Sequence, residues 1–431
     1  MIFSVIVTAA ILIVIAAACI RTVCISGGFG MSGRSKLLCT AHTHSPDAAR
    51  RSTYIKIFGA ALAFRIFTYA VTPFVIYIIM GATDRGLGNI LSHWQLWDAH
   101  KYLNIAVYGY GSMMYDNQYL GLVFLPLYPW LIRLVDYAVG YPLISALIVS
   151  TACCCFSCCV IYKLALLDYS KRAAKNTVIF LSIFPWSFFM GGIMNESTLL
   201  LMSSLCLYFI RTHKWLRAGI FGMLAALSRL VGVVLVFAYF AEWLEEYKVI
   251  AVLRQKRFKD FFAIIFKKGF FVLIIPLGTV IYLIINYICT GDPFAFLQYE
   301  ETIWNQHSQF FGITLNTIWH YASAANPSLV TRYAIWIPQI FAIAFCALNM
   351  LYGVNKTRTM YMGYLIPYLL VNISASWPIS GGRYMSAALP MFMIMGGCSE
   401  KYDTGAAAYM MISGILYGVF LAGFFMQRSI I

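Results

Sequence analysis

Long apolar stretches separated by short polar ones recur along the whole chain. Residues 2–20, 55–80, 141–166, 270–288 and 333–353 are each close to the roughly 20 apolar residues that a helix needs to cross a bilayer. Backbone groups in lipid must be satisfied within the segment, so these stretches predict helices. The pattern therefore predicts an all-α polytopic membrane protein with about eleven to thirteen membrane segments, several of them short or re-entrant.

Three apolar stretches carry interruptions that a simple membrane crossing does not need. Residues 119–140 contain two prolines, which predicts a partly inserted or re-entrant segment. Residues 177–211 are too long for one crossing and contain "GGIMNES" near the middle, so two shorter helices that meet at this motif are predicted. Residues 218–241 are interrupted at Ser228 and Arg229, and the flanking basic clusters favour a broken hairpin there.

The N-terminal stretch is typical either of a signal sequence or of a retained membrane anchor. Residues 2–20 are continuously apolar, no charged residue precedes them and Arg21 follows, which favours a retained anchor helix. Residues 21–54 are basic and contain Gly and Ser, which predicts a cytoplasmic linker. The chain is thus divided into an anchor and linker, residues 1–54, and a membrane domain, residues 55–431, that carries the candidate chemistry.

The composition agrees with a membrane environment and with the distribution of charge. The chain is 61% hydrophobic and only 11% charged, whereas soluble domains carry about 25% charged residues. Its net charge of +15 comes from lysines and arginines in short clusters between the apolar stretches, as expected for the cytoplasmic loops of membrane proteins. We therefore expect the lipid bilayer, and not a nucleic acid, to be the partner of this charge.

Two groups of potential metal ligands have simpler explanations. Five cysteines lie in "CCCFSCC", residues 153–159, within an apolar helix and without the paired spacing and polar shell of a metal site. We interpret them as small buried residues of a membrane helix. His42 and His44 lie in the basic linker, where solvation is the simpler interpretation. No metal site is predicted.

The unusual ionisable residues collect on one side of the membrane when the loops rich in Lys and Arg are placed in the cytoplasm. Ionisable side chains at membrane depth are costly, which makes them candidates for a functional role. Two arginines, Arg65 and Arg229, are predicted deeper, within apolar runs. The others are predicted at or near the non-cytoplasmic face: Asp98, Glu196, Asp292, Glu300, Glu301 and Arg383.

Each of these residues also has a purely structural explanation. Asp98 is alternatively an exposed loop acid in an aromatic interfacial belt, and Glu196 is alternatively part of a helix cap with Asn195. Asp292, in "TGDP", is typical of a turn. The two deeper arginines are alternatively paired with buried acids or backbone carbonyls, and Arg383 alternatively extends to the interface.

The same residues together suit a site that binds a lipid-linked anion from the membrane and an acceptor from the outer aqueous face. Arginines suit phosphate because the guanidinium stays charged and binds in a bidentate manner. A carboxylate near an acceptor hydroxyl can take its proton as a bond to a sugar forms. Trp94, Trp97 and Tyr102 offer ring faces on which a sugar can stack. The sequence contains no P-loop or nucleotide-sugar motif, which favours a lipid-phosphate donor.

Six motifs occur in an order that resembles the PIG-V family of mannosyltransferases. They are "LSHWQLWDAHKYLNIAVYGY", "FLPLYP", "NES", "LSRLVG", "GDPFAF", and "GRY" followed by Pro390. The resemblance extends from about Arg65 to Pro390. The chain differs from the family in its additional N-terminal apolar helix and in "WQLWD", where a shorter His-Trp-Asp is common.

The resemblance implies an integral-membrane glycosyltransferase with the GT-C fold. Members of the family add the second mannose of the glycosylphosphatidylinositol (GPI) anchor, and the family has bacterial relatives. The implied donor is a polyprenyl-phosphate mannose, which is dolichyl-phosphate mannose in eukaryotes. The implied reaction inverts the anomeric carbon, needs no metal or other cofactor, and uses a glycolipid or glycan acceptor on the non-cytoplasmic face.

The resemblance also implies roles for individual residues. Asp98 corresponds to the acidic residue of the first outer loop and is the expected general base, with Glu196 as a second catalytic residue. Arg229 and Arg383 are favoured for the lipid phosphate. The full set of expected substrate-binding residues is Arg65, Trp97, His100, Lys101, Arg229, Asp292, Arg383 and Tyr384. His93, His100 and Lys101 either contact phosphate or sugar or only lie at the interface.

Other functions and two cellular locations stay open on the sequence alone. Broken helices and intramembrane arginines are also features of transporters and lipid flippases, although no internal repeat is detectable. Another GT-C activity, such as aminoarabinose or protein O-mannosyl transfer, would keep the chemistry and change the acceptor. A eukaryotic source implies the endoplasmic reticulum membrane and a small membrane partner subunit, whereas a bacterial source implies the plasma membrane.

Overall fold

The structure is a computed structural model, and it describes residues 2–28, 50–81, 86–112, 114–115, 118–323, 328–427 and 430. Most of the linker that follows the first helix lies outside the described residues, and so do His42 and His44.

Within the described residues the chain folds almost entirely into helices. The first ten are α1 (Ile2–Gly27), α2 (Arg51–Phe74), α3 (Leu87–Ser92), α4 (Ala99–Tyr108), α5 (Leu127–Val139), α6 (Pro142–Ala165), α7 (Lys171–Ser182), α8 (Glu196–Arg211), α9 (Trp215–Ser228) and α10 (Leu235–Glu246). The others are α11 (Val249–Arg254), α12 (Phe258–Ile264), α13 (Ile274–Thr290), α14 (Ala295–Trp304), α15 (Phe311–Ser323), α16 (Leu329–Thr331), α17 (Ile337–Gly353), α18 (Thr359–Ile373), α19 (Gly381–Met385), α20 (Leu389–Cys398) and α21 (Asp403–Phe425). The sheet structure in the described part of the chain is one antiparallel pair of two-residue strands, β1 (Met114–Tyr115) and β2 (Gln118–Tyr119).

Six helical stretches in the described residues are long and apolar enough to cross a bilayer. They are Phe3–Gly27, Arg51–Ile79, Pro142–Ala165, Phe258–Thr290, Leu329–Gly353 and Asp403–Phe425. Three shorter helices, α9, α18 and α20, are also apolar. The prediction of an all-α polytopic fold with several short segments is therefore confirmed, and the chain is a multi-pass membrane protein.

Two of the predicted interruptions fall where helices break. The stretch between α7 and α8 contains only a short 3-10 turn, and Arg229, between α9 and α10, has an extended backbone. The Asn195 side-chain amide donates to the Ser228 carbonyl at 2.9 Å, so the two breaks are adjacent in space. With 16 residues in α8 and 14 in α9, both helices are shorter than a bilayer core at about 1.5 Å per residue.

The proline-containing stretch 119–140 forms a short helix and not a full crossing. α5 begins after Pro126 and has 13 residues. It packs against α4 and α6, while Trp130, Leu134 and Tyr137 on its other face are exposed. These exposed apolar side chains, spaced about one helical turn apart, agree with a helix that is partly inserted at the edge of the bilayer.

The first helix is longer than predicted. α1 continues to Gly27, so the linker does not begin at Arg21, and α2 begins at Arg51, within the predicted linker. The Arg21 guanidinium is buried and donates to the Val354 carbonyl at 2.5 Å. A buried guanidinium that is hydrogen-bonded in this way can remain inside the helix bundle. The end of the apolar run therefore did not mark the end of the helix.

Buried charges connect the helix ends at the face opposite the two breaks. Asp168, after α6, accepts hydrogen bonds from Arg211 at 2.8 Å and from Arg358 at 3.0 Å. Arg358, before α18, also donates to Glu242 of α10 at 3.1 Å. We call these four residues the basal cluster. Asp168 and Glu242 are 3% and 1% exposed, so their ion pairs hold the ends of α6, α8, α10 and α18 together.

Candidate functional site

Asp98 lies immediately before α4 but does not cap this helix. Aspartate at this position commonly accepts a helix N–H, yet the Asp98 carboxylate makes no such bond. The preceding Trp97 has a left-handed backbone with φ +56°, which costs a residue with a Cβ about 1–3 kcal/mol. Strain of this kind concentrates at functional sites. The Asp98 carboxylate instead points toward Arg383.

Arg383 lies at the centre of a buried ion-pair network. Its Nε donates to Glu196 Oε1 at 2.6 Å, and its Nη1 donates to Asp98 Oδ2 at 3.3 Å. The third guanidinium nitrogen, Nη2, lies 3.2 Å from Met194 Sδ. Arg383 and Glu196 are 4% and 0% exposed, whereas the Asp98 side chain is 29% exposed. Arg383 therefore links one fully buried acid to one accessible acid, and it does not extend to the interface.

A second arginine lies close to Glu196. Arg229 Nη1 is 3.7 Å from Glu196 Oε1, and the Arg229 guanidinium stacks 3.9 Å from the centre of the Tyr384 ring. Arg229 Nη1 and Glu196 Oε2 have no hydrogen-bond partner among the described residues. Buried polar atoms without partners are rare and call for an explanation. A donor of this kind on a permanent cation is well suited to an anionic oxygen.

A half-open cavity of about 430 Å³ is lined by Asp98, Arg229, Arg383 and Tyr384. Cavities of about 300–1,000 Å³ are typical of small-molecule sites. Acids, bases, amides and ring faces all contribute to the walls. The polar and aromatic residues that line it are Trp97, Asp98, Tyr102, Phe124, Asn195, Arg229, Glu300, Trp304, Gln306, Asn372, Ser380, Arg383 and Tyr384.

Lys101 and Glu300 add charge at the edge of the cavity. Lys101 Nζ lies 3.9 Å from Asp98 Oδ1 and 4.5 Å from the centre of the Trp304 ring. Burial lowers the pKa of Lys101, and the Asp98 carboxylate opposes this shift. Burial raises the pKa of Glu300, against the opposing effect of Arg229. Both shifts favour the neutral form, which indicates that water solvates this edge of the cavity poorly.

Arg65 does not line the cavity. It is 1% exposed, and its Nη1 donates to the Ser187 carbonyl at 2.8 Å and to the Tyr417 hydroxyl at 3.2 Å. The hydrogen bond to the Ser187 carbonyl agrees with the structural explanation of Arg65, in which the arginine pairs with backbone carbonyls. The side chain connects α2, the turn before α8, and α21.

Three other residues that were predicted to bind substrate or stack on sugar also lie away from the cavity. Asp292 Oδ1 accepts from the Phe294 N–H at 2.8 Å, which is the turn geometry considered for "TGDP". His100 is on the exposed side of α4. Trp94 is 2% exposed and packs edge to face on Phe425, with ring centres 5.0 Å apart.

Part of the cavity wall was missed by sequence reasoning. Glu300 was expected only at the outer face, and Trp304 and Asn372 were not singled out, yet all three line the cavity. Glu300 and Trp304 are four residues apart in α14 and therefore share a helix face. This spacing is the signal that could have paired them. Asn372 has no comparable signal because its position depends on how α18 packs.

Two glycines of the sequence motifs are required by close packing. A Cβ at Gly232 would lie 2.3 Å from the backbone of Ala225, and a Cβ at Gly382 would lie 2.3 Å from the Trp186 side chain. Gly232 thus allows the turn after Arg229 to fold back onto α9. Gly382 allows the short helix α19, which carries the adjacent arginine of the network, to approach the core.

Two solved structures show a partial likeness to the chain. A structure of ArnT from Cupriavidus metallidurans bound to undecaprenyl phosphate matches with a TM-score of 0.49 and 14% identity, over 88% of this chain and 72% of that one. A structure of AglB from Archaeoglobus fulgidus, an archaeal oligosaccharyltransferase in complex with an inhibitory peptide and a dolichol-phosphate, matches with a TM-score of 0.43 and 12% identity. This second match covers 88% of this chain and 56% of AglB, so the chain spans about half the length of AglB. No family model and no curated protein sequence matches the chain.

Proposed function

We propose that the chain is a membrane glycosyltransferase of the GT-C type that moves a mannosyl residue from a polyprenyl phosphate to a hydroxyl acceptor. The observation that carries this proposal is the cavity where Asp98, Arg229 and Arg383 meet. These residues come from three distant parts of the sequence, and Glu196 joins the two arginines from a fourth. The arrangement combines an accessible carboxylate with cations that suit a phosphate.

Asp98 is the general base in the proposed reaction. Its carboxylate is the more accessible of the two acids at Arg383, so an acceptor hydroxyl can reach it. The acceptor oxygen forms a bond to the anomeric carbon as its proton passes to the Asp98 carboxylate. The bond from the anomeric carbon to the phosphate oxygen breaks on the opposite side of the sugar, which inverts that carbon.

Arg229 and Arg383 are the proposed partners of the leaving phosphate. The electron pair of the broken bond stays on the phosphate, and preorganised cations stabilise the charge that develops there. Arg229 lines the cavity, and its buried Nη1 has no hydrogen-bond partner among the described residues. Glu196 is fully buried between the two guanidinium groups. We propose that it positions them and makes no direct contact with the sugar.

The donor sugar and the acceptor are the least constrained parts of the proposal. Mannose follows from the motif order that resembles the PIG-V family, and a glycolipid or glycan hydroxyl is the proposed acceptor. The rings of Trp97, Tyr102 and Trp304 line the cavity and offer faces for a sugar. Lys101 lies near both Asp98 and Trp304, and we propose that it contacts the phosphate or the sugar.

A transporter is less well supported by the same structure. Alternating access requires the substrate site to open toward both faces of the membrane. The basal cluster holds the opposite ends of four helices together through buried ion pairs. The cavity and the two helix breaks lie at one face, which favours a site that is reached from that side.

The decisive experiment measures transfer by the purified full chain in detergent, with labelled polyprenyl-phosphate mannose and a panel of glycolipid and glycan acceptors. Polyprenyl-phosphate glucose serves as the competing donor. The Asp98→Asn variant lacks the proposed base, so its transfer rate should be about 10²–10⁴-fold lower than that of the wild type. Glu301→Gln, at an exposed acid outside the cavity, should keep the wild-type rate.

Two results would contradict the proposal at different levels. Unchanged transfer by Asp98→Asn would exclude this residue as the base. Failure of the folded wild-type chain to consume any polyprenyl-phosphate sugar would exclude the glycosyltransferase function. The expected independence of metal is checked in the same assay, where EDTA should leave the rate unchanged.

A further inference from the structure

A second and larger cavity lies at the face opposite the candidate site. It is a groove of about 790 Å³ between the first half of α2, the end of α6 and α7. α6 packs against both neighbours, and α2 and α7 form the two sides of the groove. The apolar residues of its walls are Ile57, Ala60, Ala61, Phe64, Val178, Ile179 and Ile183. We call this feature the basal groove.

Lysines surround the end of the basal groove where α2 and α7 begin. Lys56, Lys171 and Lys175 line it and are exposed, and none of the three forms an ion pair with a described residue. Arg172 also lines the groove, but it pairs with Asp403. The groove therefore combines an apolar interior with a rim of three lysines that form no ion pair within the described residues.

Two of these lysines lie at the beginning of α7, which starts at Lys171 and has no acid in its first turn. The N-terminal end of a helix carries a partial positive charge, which favours anions and disfavours lysines. The carboxylate of Glu400 accepts a hydrogen bond from Ser170, immediately before the helix. Within the described residues it forms no ion pair with Lys171 or Lys175. An external anion at the rim would therefore still be attracted by these lysines.

We propose that the basal groove binds an anionic phospholipid from the membrane leaflet at that face. The phosphate of the lipid contacts Lys56, Lys171 and Lys175, and an acyl chain packs along Ala60, Ala61 and Phe64. Basic pockets between membrane helices are suited to anionic headgroups. A soluble anion would leave the apolar walls uncovered, so the lipid matches both parts of the groove. This site is separate from the candidate catalytic cavity and does not depend on the proposed function.

Binding is measured by native mass spectrometry and by thermal unfolding of the purified full chain with added phosphatidylglycerol or phosphatidylcholine. Phosphatidylglycerol should bind more tightly and should raise the unfolding temperature more. The triple variant Lys56→Gln/Lys171→Gln/Lys175→Gln should bind it about 100-fold more weakly, because each lysine near an anionic headgroup contributes about 1 kcal/mol and about 1.4 kcal/mol is tenfold.

Two further variants separate a built site from general charge attraction. Lys256→Gln/Lys259→Gln/Lys267→Gln removes three exposed lysines away from the groove and should keep the wild-type affinity. Ala60→Trp fills the apolar wall without changing charge and should also weaken phosphatidylglycerol binding. The unfolding temperature of each variant without lipid shows that it is folded, and the single variant Lys171→Gln replaces the triple variant if the latter fails to fold.

Several outcomes would overturn the proposal. Equal binding of phosphatidylcholine would exclude recognition of the anionic headgroup. An equal loss of affinity for phosphatidylglycerol in both triple variants would show that general surface charge, and not the groove, attracts the lipid. Protection by inorganic phosphate alone, at the level seen with the lipid, would show a site for a free anion.

Discussion

The ion-pair network at the cavity contains two acids and two arginines, Asp98, Glu196, Arg229 and Arg383, whose formal charges cancel. Lys101 and Glu300 lie at the edge of this network. Burial lowers the pKa of Lys101 and raises the pKa of Glu300, so both shifts favour the neutral form. Poor solvation at this edge strengthens the attraction between the guanidinium groups and an incoming lipid phosphate.

Glu300→Gln is expected to stabilise the protein at neutral pH. The folded chain holds a proton on Glu300 more tightly than the unfolded chain, because burial raises its pKa above the ordinary value of 4.5. The stability that this proton contributes is therefore fully present below about pH 4.5. It is lost as the pH rises through the higher pKa of Glu300 in the folded chain. The glutamine side chain is neutral at every pH. The unfolding temperature of the Glu300→Gln variant should therefore exceed that of the wild type at about pH 7.5, and the difference should shrink toward pH 4.5.

The matched control for this prediction is the neighbouring acid. Glu301 is exposed, so Glu301→Gln should change the unfolding temperature little at either pH. A margin for Glu300→Gln that grows toward acidic pH would contradict the raised pKa of this carboxyl.

Among the helices, α19 has the most direct effect on the site because it carries Arg383. Gly382→Ala should displace it, since the new Cβ would lie 2.3 Å from the Trp186 side chain. A shift of about 1 Å at a reacting group can cost about 10²-fold in rate, so we expect a loss of that order in the transfer assay. Gly414→Ala, in α21, is the control, because a Cβ there meets no atom within 4 Å. Wild-type activity in Gly382→Ala would contradict the tight packing of α19.

The basal cluster should dominate the stability of the helix ends. Asp168→Asn leaves Arg211 and Arg358 without their shared carboxylate, and breaking a buried pair typically costs about 3–5 kcal/mol. The control is Asp403→Asn, which removes the exposed pair with Arg172 and should cost at most about 1 kcal/mol. The unfolding temperatures of the Asp168→Asn and Asp403→Asn variants are measured in detergent and compared with that of the wild type. Equal losses would show that the basal cluster adds no more than a surface ion pair.

The whole molecule has one face with the cavity and one face with most of the exposed lysines and arginines. Positively charged loops remain in the cytoplasm, so we expect the cavity to face the outer or lumenal side. A membrane-impermeant maleimide applied to intact cells or sealed vesicles should label Glu301→Cys and not Lys259→Cys. Permeabilisation should allow labelling of both. Wild-type cysteines give the background, and the reverse pattern would invert the topology.

The sequence by itself determined the membrane class, the helical structure and the positions of the two helix breaks. These features depend on local properties, namely the length of apolar runs and the presence of residues that interrupt helices. The sequence also identified Asp98, Glu196, Arg229 and Arg383 as unusual, because ionisable residues are rare in apolar surroundings. It placed the end of α1 too early, since hydropathy does not register a buried arginine bonded to a carbonyl.

Only the tertiary structure decided which of these residues meet. Arg383 contacts Asp98 and Glu196 across separations of 285 and 187 residues, and such contacts depend on how the helices pack. The same packing directs Arg65 to a carbonyl and brings Trp304 next to Lys101. Residue type shows what a side chain can bind, whereas the fold decides which partners are within reach. "HWQLWDAHKY" thus contains a carboxylate whose partner, Arg383, is supplied by a distant helix.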